Sequence, residues 1–260
     1  MNMFAAFWRS TIGKKVVMAV TGVIMIGFVI GHVSGNLLVF RGAETFNRYA
    51  ALLKGLGGLL WAARLGLLVA LVLHFTAAYQ LTLAARAARP TDYARREPQV
   101  STWASRTMRW GGVLLLVFIG LHLAQFTFGW IDQASFSETD AYNNVMVGFR
   151  NGWWVLFYEV AMISLGFHLF HGAWASVRTL GISRPSQHPF HRRIATLIAV
   201  GVWLAFSIIP LGVYAGIAKP EGDPGTTAMV PTASVPTASV PTTMVPSARA
   251  RAAASPTRTP

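Results

Sequence analysis

Residues Val16 to Phe40 read VVMAVTGVIMIGFVIGHVSGNLLVF, and this stretch decides the fold. It is about 25 apolar residues long, more than the roughly 20 that span a bilayer as a helix. One ionisable side chain, His32, lies inside it. Ionisable residues are costly in a membrane and often mark function, although a histidine can also simply hydrogen-bond to a neighbouring helix. The stretch therefore predicts a membrane helix with a candidate functional histidine.

Four further apolar segments predict four more membrane helices. They are Gly58–Ala85, Trp110–Trp130, Trp153–Val177 and Ile194–Ile217. The first three of these four carry one comparable histidine each, namely His74, His122 and His168. Several tryptophans lie at or near segment ends, as membrane interfaces favour: Trp103, Trp110, Trp130, Trp153 and Trp154. We therefore expect an all-α membrane protein of five transmembrane helices, four of which form a histidine-bearing core with one peripheral helix.

The composition agrees with a membrane protein. The chain is 53% hydrophobic and 12% charged, which is too apolar for an ordinary soluble domain of this length. It contains no cysteine, which excludes disulfides, thiolate ligands and an iron–sulfur cluster held by these residues. The net charge of +13 would suit nucleic acid, but the arginines cluster in short loops between apolar segments, so we expect no nucleic-acid partner.

The distribution of lysine and arginine predicts the orientation. The amino-terminal segment and the second and fourth connections hold thirteen of these residues, whereas the first and third connections hold four. Positive loops stay in the cytoplasm, so the amino terminus is expected inside and the carboxyl terminus outside. The composition changes near residue 218, where Pro, Thr and Ala begin to dominate and the motif VPTAS repeats. We expect residues 1–217 to form the membrane domain and residues 218–260 a disordered tail.

Depth pairs the four histidines into two levels. At about 1.5 Å per residue, His32 and His122 lie roughly 20–25 Å from the inner ends of their helices. His74 and His168 lie roughly 22–24 Å from the outer ends of theirs. His32 and His122 should therefore share an outer level, while His74 and His168 share an inner level.

Two imidazoles per level are typical of bis-histidine haem b. Neither level has a carboxylate or thiolate that would complete a zinc or di-iron site, whereas haem iron needs two axial ligands and the porphyrin supplies the rest. Gly31, Gly120 and Gly166 lie one or two residues before candidate ligands, where a macrocycle could press on a helix. Gly31 also belongs to a stripe with Gly27 and Gly35, which favours close packing between helices. Both interpretations can hold on one helix.

Two motifs carry a family resemblance. They are GHVSGNLLVFRGAETFNRYAALL around His32 and GFHLFHGAWASVRTLG around His168. Over roughly Phe7 to Ile217 the chain resembles the cytochrome b558 membrane-anchor subunit of succinate dehydrogenase and fumarate reductase. The resemblance implies a five-helix anchor in a prokaryotic cytoplasmic membrane, with two haem b groups and menaquinone or a related quinone as redox partner. It also implies a flavoprotein and an iron–sulfur protein docked on the inner face.

The resemblance also bears on the ligands. The family pairs its first-helix ligand with the third helix and its second with the fourth, which agrees with the depth argument. Its fourth-helix ligand matches His168, thirteen residues before Gly181. His171 is then an additional histidine, expected to contact a haem propionate or a hydrogen-bond partner.

Two carboxylates are candidates for proton transfer to an outer quinone. Glu159 lies within the fourth apolar segment, about 9 Å from its outer end, and Glu44 lies in the neighbouring outer loop. Helical angles place Glu159 on the side opposite His168, and an ion pair with Arg64 is an alternative use for it. Arg178, Arg192 and Arg193 are interpreted as positive-inside residues, with inner haem propionates as the alternative.

Two rival functions remain at this point. One is a dihaem cytochrome b that serves a hydrogenase, formate dehydrogenase or nitrate reductase. The other is a transporter that uses buried histidines as proton relays. Inverted repeats with broken helices would favour the transporter, and the sequence shows neither.

Overall fold

Five long helices dominate the fold. The computed structural model describes residues 2–88, 102–131 and 133–220, all within one compact unit, Met1–Asp223. In the described residues the α-helices are α1 (Met3–Arg9), α2 (Thr11–Asn36), α3 (Ala43–Gly55), α4 (Gly58–Ala87), α5 (Trp103–Phe126), α6 (Ala141–Gly148), α7 (Gly152–Thr179) and α8 (His188–Tyr214). Short 3-10 turns occupy Leu37–Arg41 and Pro185–Gln187. By length and composition α2, α4, α5, α7 and α8 can each cross a membrane, which confirms the predicted all-helical class.

Local capping fixes where the helices begin. The Ser10 hydroxyl accepts a hydrogen bond from the Gly13 N–H at 2.8 Å and starts α2. Thr102 and Ser105 form a reciprocal capping box that starts α5. This cap explains why α5 begins seven residues before the predicted start of the third span at Trp110, and α5 ends at Phe126 rather than Trp130. Between α3 and α4, Gly57 adopts φ +52°, a conformation that favours glycine.

The long helices pack in a defined order. α7 packs extensively against α8, α5 and α2, and α2 also packs against α4. Among the long helices, α8 packs against α7 and, less extensively, against α2 in the described residues. The faces of α4 that contact no other helix are apolar and exposed, as lipid contact requires: Leu59, Trp61, Leu65, Leu68, Val69 and Val72.

The main buried core lies at one end of the bundle. It joins the 3-10 turn Leu37–Arg41, which follows α2, to α3, α6, the start of α7 and the end of α8. Asn47 ties α3 to α6, because its amide donates to Asp140 Oδ1 and its carbonyl accepts from the Tyr142 N–H, both at 2.9 Å. We call α3 and α6 together the cap.

The predicted tail lies almost wholly outside the described residues, which end at residue 220. Residues 89–101 of the second connection and Asp132 of the third connection also lie outside them. The division at residue 217 therefore stays a prediction.

Candidate functional site

His32 on α2 and His122 on α5 face each other. Their ring centroids are 5.9 Å apart and the rings are nearly perpendicular, at 84°. Phe28 stacks on His32 with centroids 5.2 Å apart, and Phe118 stacks on His122 at 5.6 Å. Phe206 of α8 closes the His32 side at 6.0 Å. An aromatic wall therefore surrounds this pair.

His74 on α4 and His168 on α7 form a second pair. Their centroids are 6.1 Å apart, with an angle of 53° between the ring planes. The Thr21 hydroxyl contacts His74 Nδ1 at 3.2 Å, and Thr21 precedes His32 by eleven residues on the same helix. Eleven residues correspond to about 16 Å along a helix. The structure therefore places the two pairs at separate levels, with the partners expected from depth.

Each pair bridges two helices that make little backbone contact with each other. In the described part of the chain, extensive contacts among these four helices join α2 to α4, α5 to α7 and α2 to α7, whereas the histidines pair α2 with α5 and α4 with α7. The imidazoles therefore meet across the two looser sides of the four-helix arrangement. Such sides can admit a flat group between the helices.

Hydrogen bonds orient two of the four rings. His74 Nδ1 lies 3.0 Å from the Met18 carbonyl oxygen, which can only accept, so Nδ1 carries the proton. His122 Nδ1 lies 3.2 Å from the Tyr158 hydroxyl. In both residues Nε2 is left unprotonated and able to bind a metal ion.

The other two rings have different surroundings. The Asn36 amide donates to the His32 carbonyl oxygen at 2.7 Å and lies 3.3–3.4 Å from both ring nitrogens. His168 Nδ1 is buried and has no hydrogen-bond partner among the described residues. A buried polar atom without a partner requires an explanation, and a missing bound group is one such explanation.

The geometry of both pairs fits haem iron. Two imidazoles that bind one first-row metal ion from opposite sides, at about 2.0–2.1 Å per nitrogen, have ring centres about 6 Å apart. Both observed separations match this spacing. In the described residues no group of three or more His, Asp or Glu side chains could hold a metal ion. A porphyrin, which supplies the remaining four ligands, therefore suits these pairs better than a bare metal ion.

The glycines near the histidines behave differently from one another. A Cβ added at Gly31 or Gly120 would meet nothing within 4 Å, so both positions leave the room that a macrocycle would need. A Cβ added at Gly166 would instead lie 3.4 Å from the Cβ of Trp203, so Gly166 packs against α8. The expectation that a macrocycle presses on Gly166 is therefore wrong, because that face of α7 is covered by α8.

The glycine stripe of α2 is also split. A Cβ at Gly35 would lie 2.4 Å from the Tyr49 hydroxyl, whereas a Cβ at Gly27 would meet nothing. The expected close packing is thus found at Gly35, against α3, and is wrong for Gly27 and Gly31.

Glu159 lies at the interface between α7 and α8. It is half-buried beside Ser207, and neither Glu159 Oε1 nor Ser207 Oγ has a hydrogen-bond partner in the described structure. Arg64 is exposed and lies over the Trp61 ring at 5.2 Å, so the structure does not support an ion pair between Arg64 and Glu159. Glu44 is exposed in the first turn of α3, within the cap.

The remaining candidates lie toward the opposite end of the bundle. His171 is half-buried one turn after His168. Arg178 lies over the Trp174 ring at 5.5 Å, and Arg192 lies over Phe170 at 5.8 Å. An open pocket there is lined by Trp174, His188, Pro189, Arg192, Arg193 and Thr196. The pocket suits an anionic group but does not identify one.

Sequence reasoning missed the residues that support the ligands. Neither Tyr158 nor Gln125 is among the candidates that the sequence indicates. Gln125 follows His122 by three residues, a spacing at which helical side chains are neighbours. That spacing was the available signal for Gln125, but nothing in the sequence shows that Tyr158 faces α5.

Two comparisons with known proteins find similar proteins. Residues 85–209 match the family described as succinate dehydrogenase/fumarate reductase transmembrane subunit, a range that includes His122 and His168. The chain is 27% identical over 192 residues to the succinate dehydrogenase cytochrome b558 subunit of Bacillus subtilis (strain 168), which covers 73% of this chain and 89% of that protein. No solved structure gives a significant match. The predicted resemblance is confirmed: the chain is similar to transmembrane subunits of succinate dehydrogenase and fumarate reductase.

Proposed function

We propose that this subunit carries electrons between a partner iron–sulfur protein and a membrane quinone through two bis-histidine haem b groups. The observation that supports it best is the presence of two imidazole pairs, with centroids 5.9 Å and 6.1 Å apart, at two levels of one bundle. His32 and His122 hold one haem, and His74 and His168 hold the other. When bound, each haem supplies a centre that accepts and releases one electron.

Three features of the polypeptide support this proposal. The Met18 carbonyl and the Tyr158 hydroxyl fix the tautomers of His74 and His122, so that each presents Nε2. Each pair would supply two imidazole ligands to a haem iron, and a haem held in this way would favour electron transfer over oxygen binding. The aromatic rings of Phe28, Phe118 and Phe206 exclude water from the His32–His122 pair.

The electron donor belongs to another chain. The 260 residues contain no cysteine, so they supply no thiolate for an iron–sulfur cluster. We infer that an iron–sulfur protein, joined to a flavoprotein that holds the dicarboxylate site, docks on the cytoplasmic face. Orientation by positive charge places the turn between α7 and α8 on that face.

Haem content tests this proposal directly. The complex purified with its partner subunits should contain two haem b per chain and show a reduced b-type spectrum. Replacing His32 or His122 with alanine should remove one haem, and replacing His74 or His168 should remove the other. Absence of haem from the wild-type subunit would contradict the assignment. Loss of the same haem from the variants of both histidine pairs would also contradict it.

Glu159 is proposed to transfer protons to quinone near the His32–His122 level. Reduction of a quinone to a quinol consumes two electrons and two protons, and a carboxyl group within the bilayer can pass protons to it. Two observations support this role: Glu159 Oε1 is buried without a partner among the described residues, and the adjacent residue in the chain, Tyr158, contacts His122. Glu44, in the cap, would connect this region to the outside.

Glu159→Gln tests this role, with Glu138→Gln as a matched control in an exposed loop position. The Glu159 variant should keep both haems and electron transfer from succinate to a soluble dye. It should lose most electron transfer from succinate to quinone, whereas the control should retain it. Wild-type quinone turnover in Glu159→Gln would exclude this role.

A further inference from the structure

A chain of hydrogen bonds runs from His122 through two buried side chains. His122 Nδ1 lies 3.2 Å from the Tyr158 hydroxyl oxygen. The Tyr158 hydroxyl donates to Gln125 Oε1 at 2.9 Å, and Gln125 Nε2 donates to the Gly148 carbonyl oxygen at 3.4 Å. We call these three side chains and the Gly148 carbonyl the relay.

The direction of every bond in the relay is fixed by chemistry. The Gly148 carbonyl can only accept, so the Gln125 amide nitrogen points to it and the Gln125 oxygen points to Tyr158. The Tyr158 proton is then committed to Gln125, which leaves the phenol oxygen to accept from His122 Nδ1–H. Successive bonds of this kind polarise one another in a low-dielectric interior. His122 is therefore held as the tautomer that presents Nε2.

The relay is sealed from solvent. Gln125 is 2% exposed and Tyr158 is 6% exposed. A Cβ at Gly148 would lie 2.9 Å from the Phe126 ring and 3.0 Å from Gln125 Nε2, so the cap closes directly on the relay. Burial makes each bond costly to lose, because the remaining partner cannot turn to water.

The other histidines lack such an arrangement. The proton of His74 Nδ1 goes to a backbone carbonyl, that of Met18, with the Thr21 hydroxyl beside it. His168 Nδ1 has no partner in the described structure. A side-chain relay is thus found at one of the two histidine pairs, which makes its effect separable from that of the other pair.

We propose that Tyr158 and Gln125 are positioning residues that orient His122 and lower the reduction potential of the haem at the His32–His122 pair. The inference rests on the proposed haem function and adds residues to it. An acceptor on Nδ1–H increases the basicity of the ligating nitrogen. A more basic ligand stabilises the oxidised, more positive iron, so loss of the acceptor makes that haem easier to reduce.

Tyr158→Phe removes the acceptor with almost no change in volume. In the intact complex we expect the equilibrium constant for reduction of this haem to rise about tenfold, which corresponds to about 59 mV for one electron. The haem at His74–His168 should not change. Redox titration followed by optical spectroscopy measures both potentials. The low-field EPR signal of the oxidised His32–His122 haem, which reports the relative orientation of the two imidazole planes, should shift as well.

Gln125→Leu provides the second variant. It keeps the phenol oxygen beside His122 but frees the hydroxyl proton, so the potential should rise by less than in Tyr158→Phe. Because the two residues act in series, the double variant should match Tyr158→Phe alone rather than the sum of both effects. Tyr79→Phe is the matched control, since Tyr79 is an exposed residue on α4.

The outcomes separate the relay from the proposed function. A wild-type complex without haem at His32–His122 would overturn the function and the relay together. Two haems with unchanged potentials in Tyr158→Phe, or equal shifts of both haems, would overturn the relay alone. If Tyr158→Phe fails to retain this haem, Gln125→Leu decides: a raised potential supports the relay and an unchanged potential overturns it.

Discussion

At the scale of single residues, the surroundings of each histidine decide what its ring can do. In His74 and His122, Nδ1 hydrogen-bonds to a neighbouring oxygen atom, which leaves Nε2 able to bind a metal ion. His168 has its ring 6.1 Å from that of His74, and its Nδ1 is buried without a partner. His171 lies one turn further along α7, half-buried and closer to the basic end. The geometry therefore favours His168 over His171 as the ligand.

Alanine at these two positions distinguishes them. His168→Ala should bind one haem per chain, because it removes half of the His74–His168 pair. His171→Ala should bind two. Haem is quantified against protein in the purified complex, with the reduced spectrum identifying which centre is lost. The reverse result, with one haem missing in His171→Ala and none in His168→Ala, would show that the ligand is His171.

The sequence predicts part of this residue-level picture. Pairing of the histidines follows from helix direction and depth, because both are set by the count of residues and by loop charge. The contact of Tyr158 with His122 and the position of Glu159 beside Ser207 do not follow, since both depend on the rotation of α7 about its axis. Amphipathic patterning normally reveals that rotation, but a helix that is apolar on every side carries little such signal.

At the scale of helices, small residues matter where another element closes on them. α2 carries three glycines at a spacing of four, yet Gly35 alone of these three meets another side chain, that of Tyr49 in α3. The spacing predicted close packing along the whole stripe. It cannot show which part of the stripe faces a helix and which faces open space, because that depends on where α3 folds back.

Gly35→Ala and Gly27→Ala form a matched pair that tests this difference. A methyl group at Gly35 would overlap the Tyr49 ring at 2.4–2.5 Å, and overpacking of this kind typically costs about 1–3 kcal/mol. A methyl group at Gly27 meets nothing. We expect a lower Tm for Gly35→Ala and an unchanged or higher Tm for Gly27→Ala in the detergent-solubilised complex. Equal Tm values would contradict the contact with α3.

The cap offers a second test at this scale. Asn47 makes two hydrogen bonds, each 2.9 Å long, that join α3 to α6. Asn47→Ala leaves the Asp140 carboxylate and the Tyr142 N–H without these partners, at a cost of about 1–3 kcal/mol for each group that stays buried. Thermal unfolding should show a lower Tm. Arg48→Ala, at an exposed neighbouring position, should leave the Tm unchanged, and a similar loss in both variants would argue against the tie.

At the scale of the whole molecule, the two ends of the bundle differ in construction. One end carries the cap and most of the buried core. At the other end of the bundle lies the turn between α7 and α8. Four arginines occur there without an acidic residue between them: Arg178, Arg184, Arg192 and Arg193. The five-helix class was predictable because long apolar segments leave few alternatives. The packed cap was not predictable, because its core forms between short segments that are distant in sequence.

The difference between the two ends predicts the orientation, and the absence of cysteine makes it easy to test. Thr139 lies beside the cap and Ser186 in the turn between α7 and α8, and both are exposed. Because the 260 residues contain no cysteine, a cysteine introduced at either position would be the only one. Since positive loops stay in the cytoplasm, a membrane-impermeant thiol reagent should label Thr139→Cys in intact cells. It should label Ser186→Cys only after the membrane is permeabilised.

The same variants test where the proposed iron–sulfur partner docks. His168 lies eleven residues before the end of α7, about 16 Å along the helix, so the His74–His168 pair is the one closer to the Ser186 turn. The proposed electron donor would approach that pair, because electron transfer requires short distances. In permeabilised membranes we therefore expect Ser186→Cys to be labelled more slowly when the partner subunits are bound than after they are removed, while Thr139→Cys is unaffected. Protection of Thr139→Cys instead would place the partner on the cap and reverse the direction of electron transfer through the bundle.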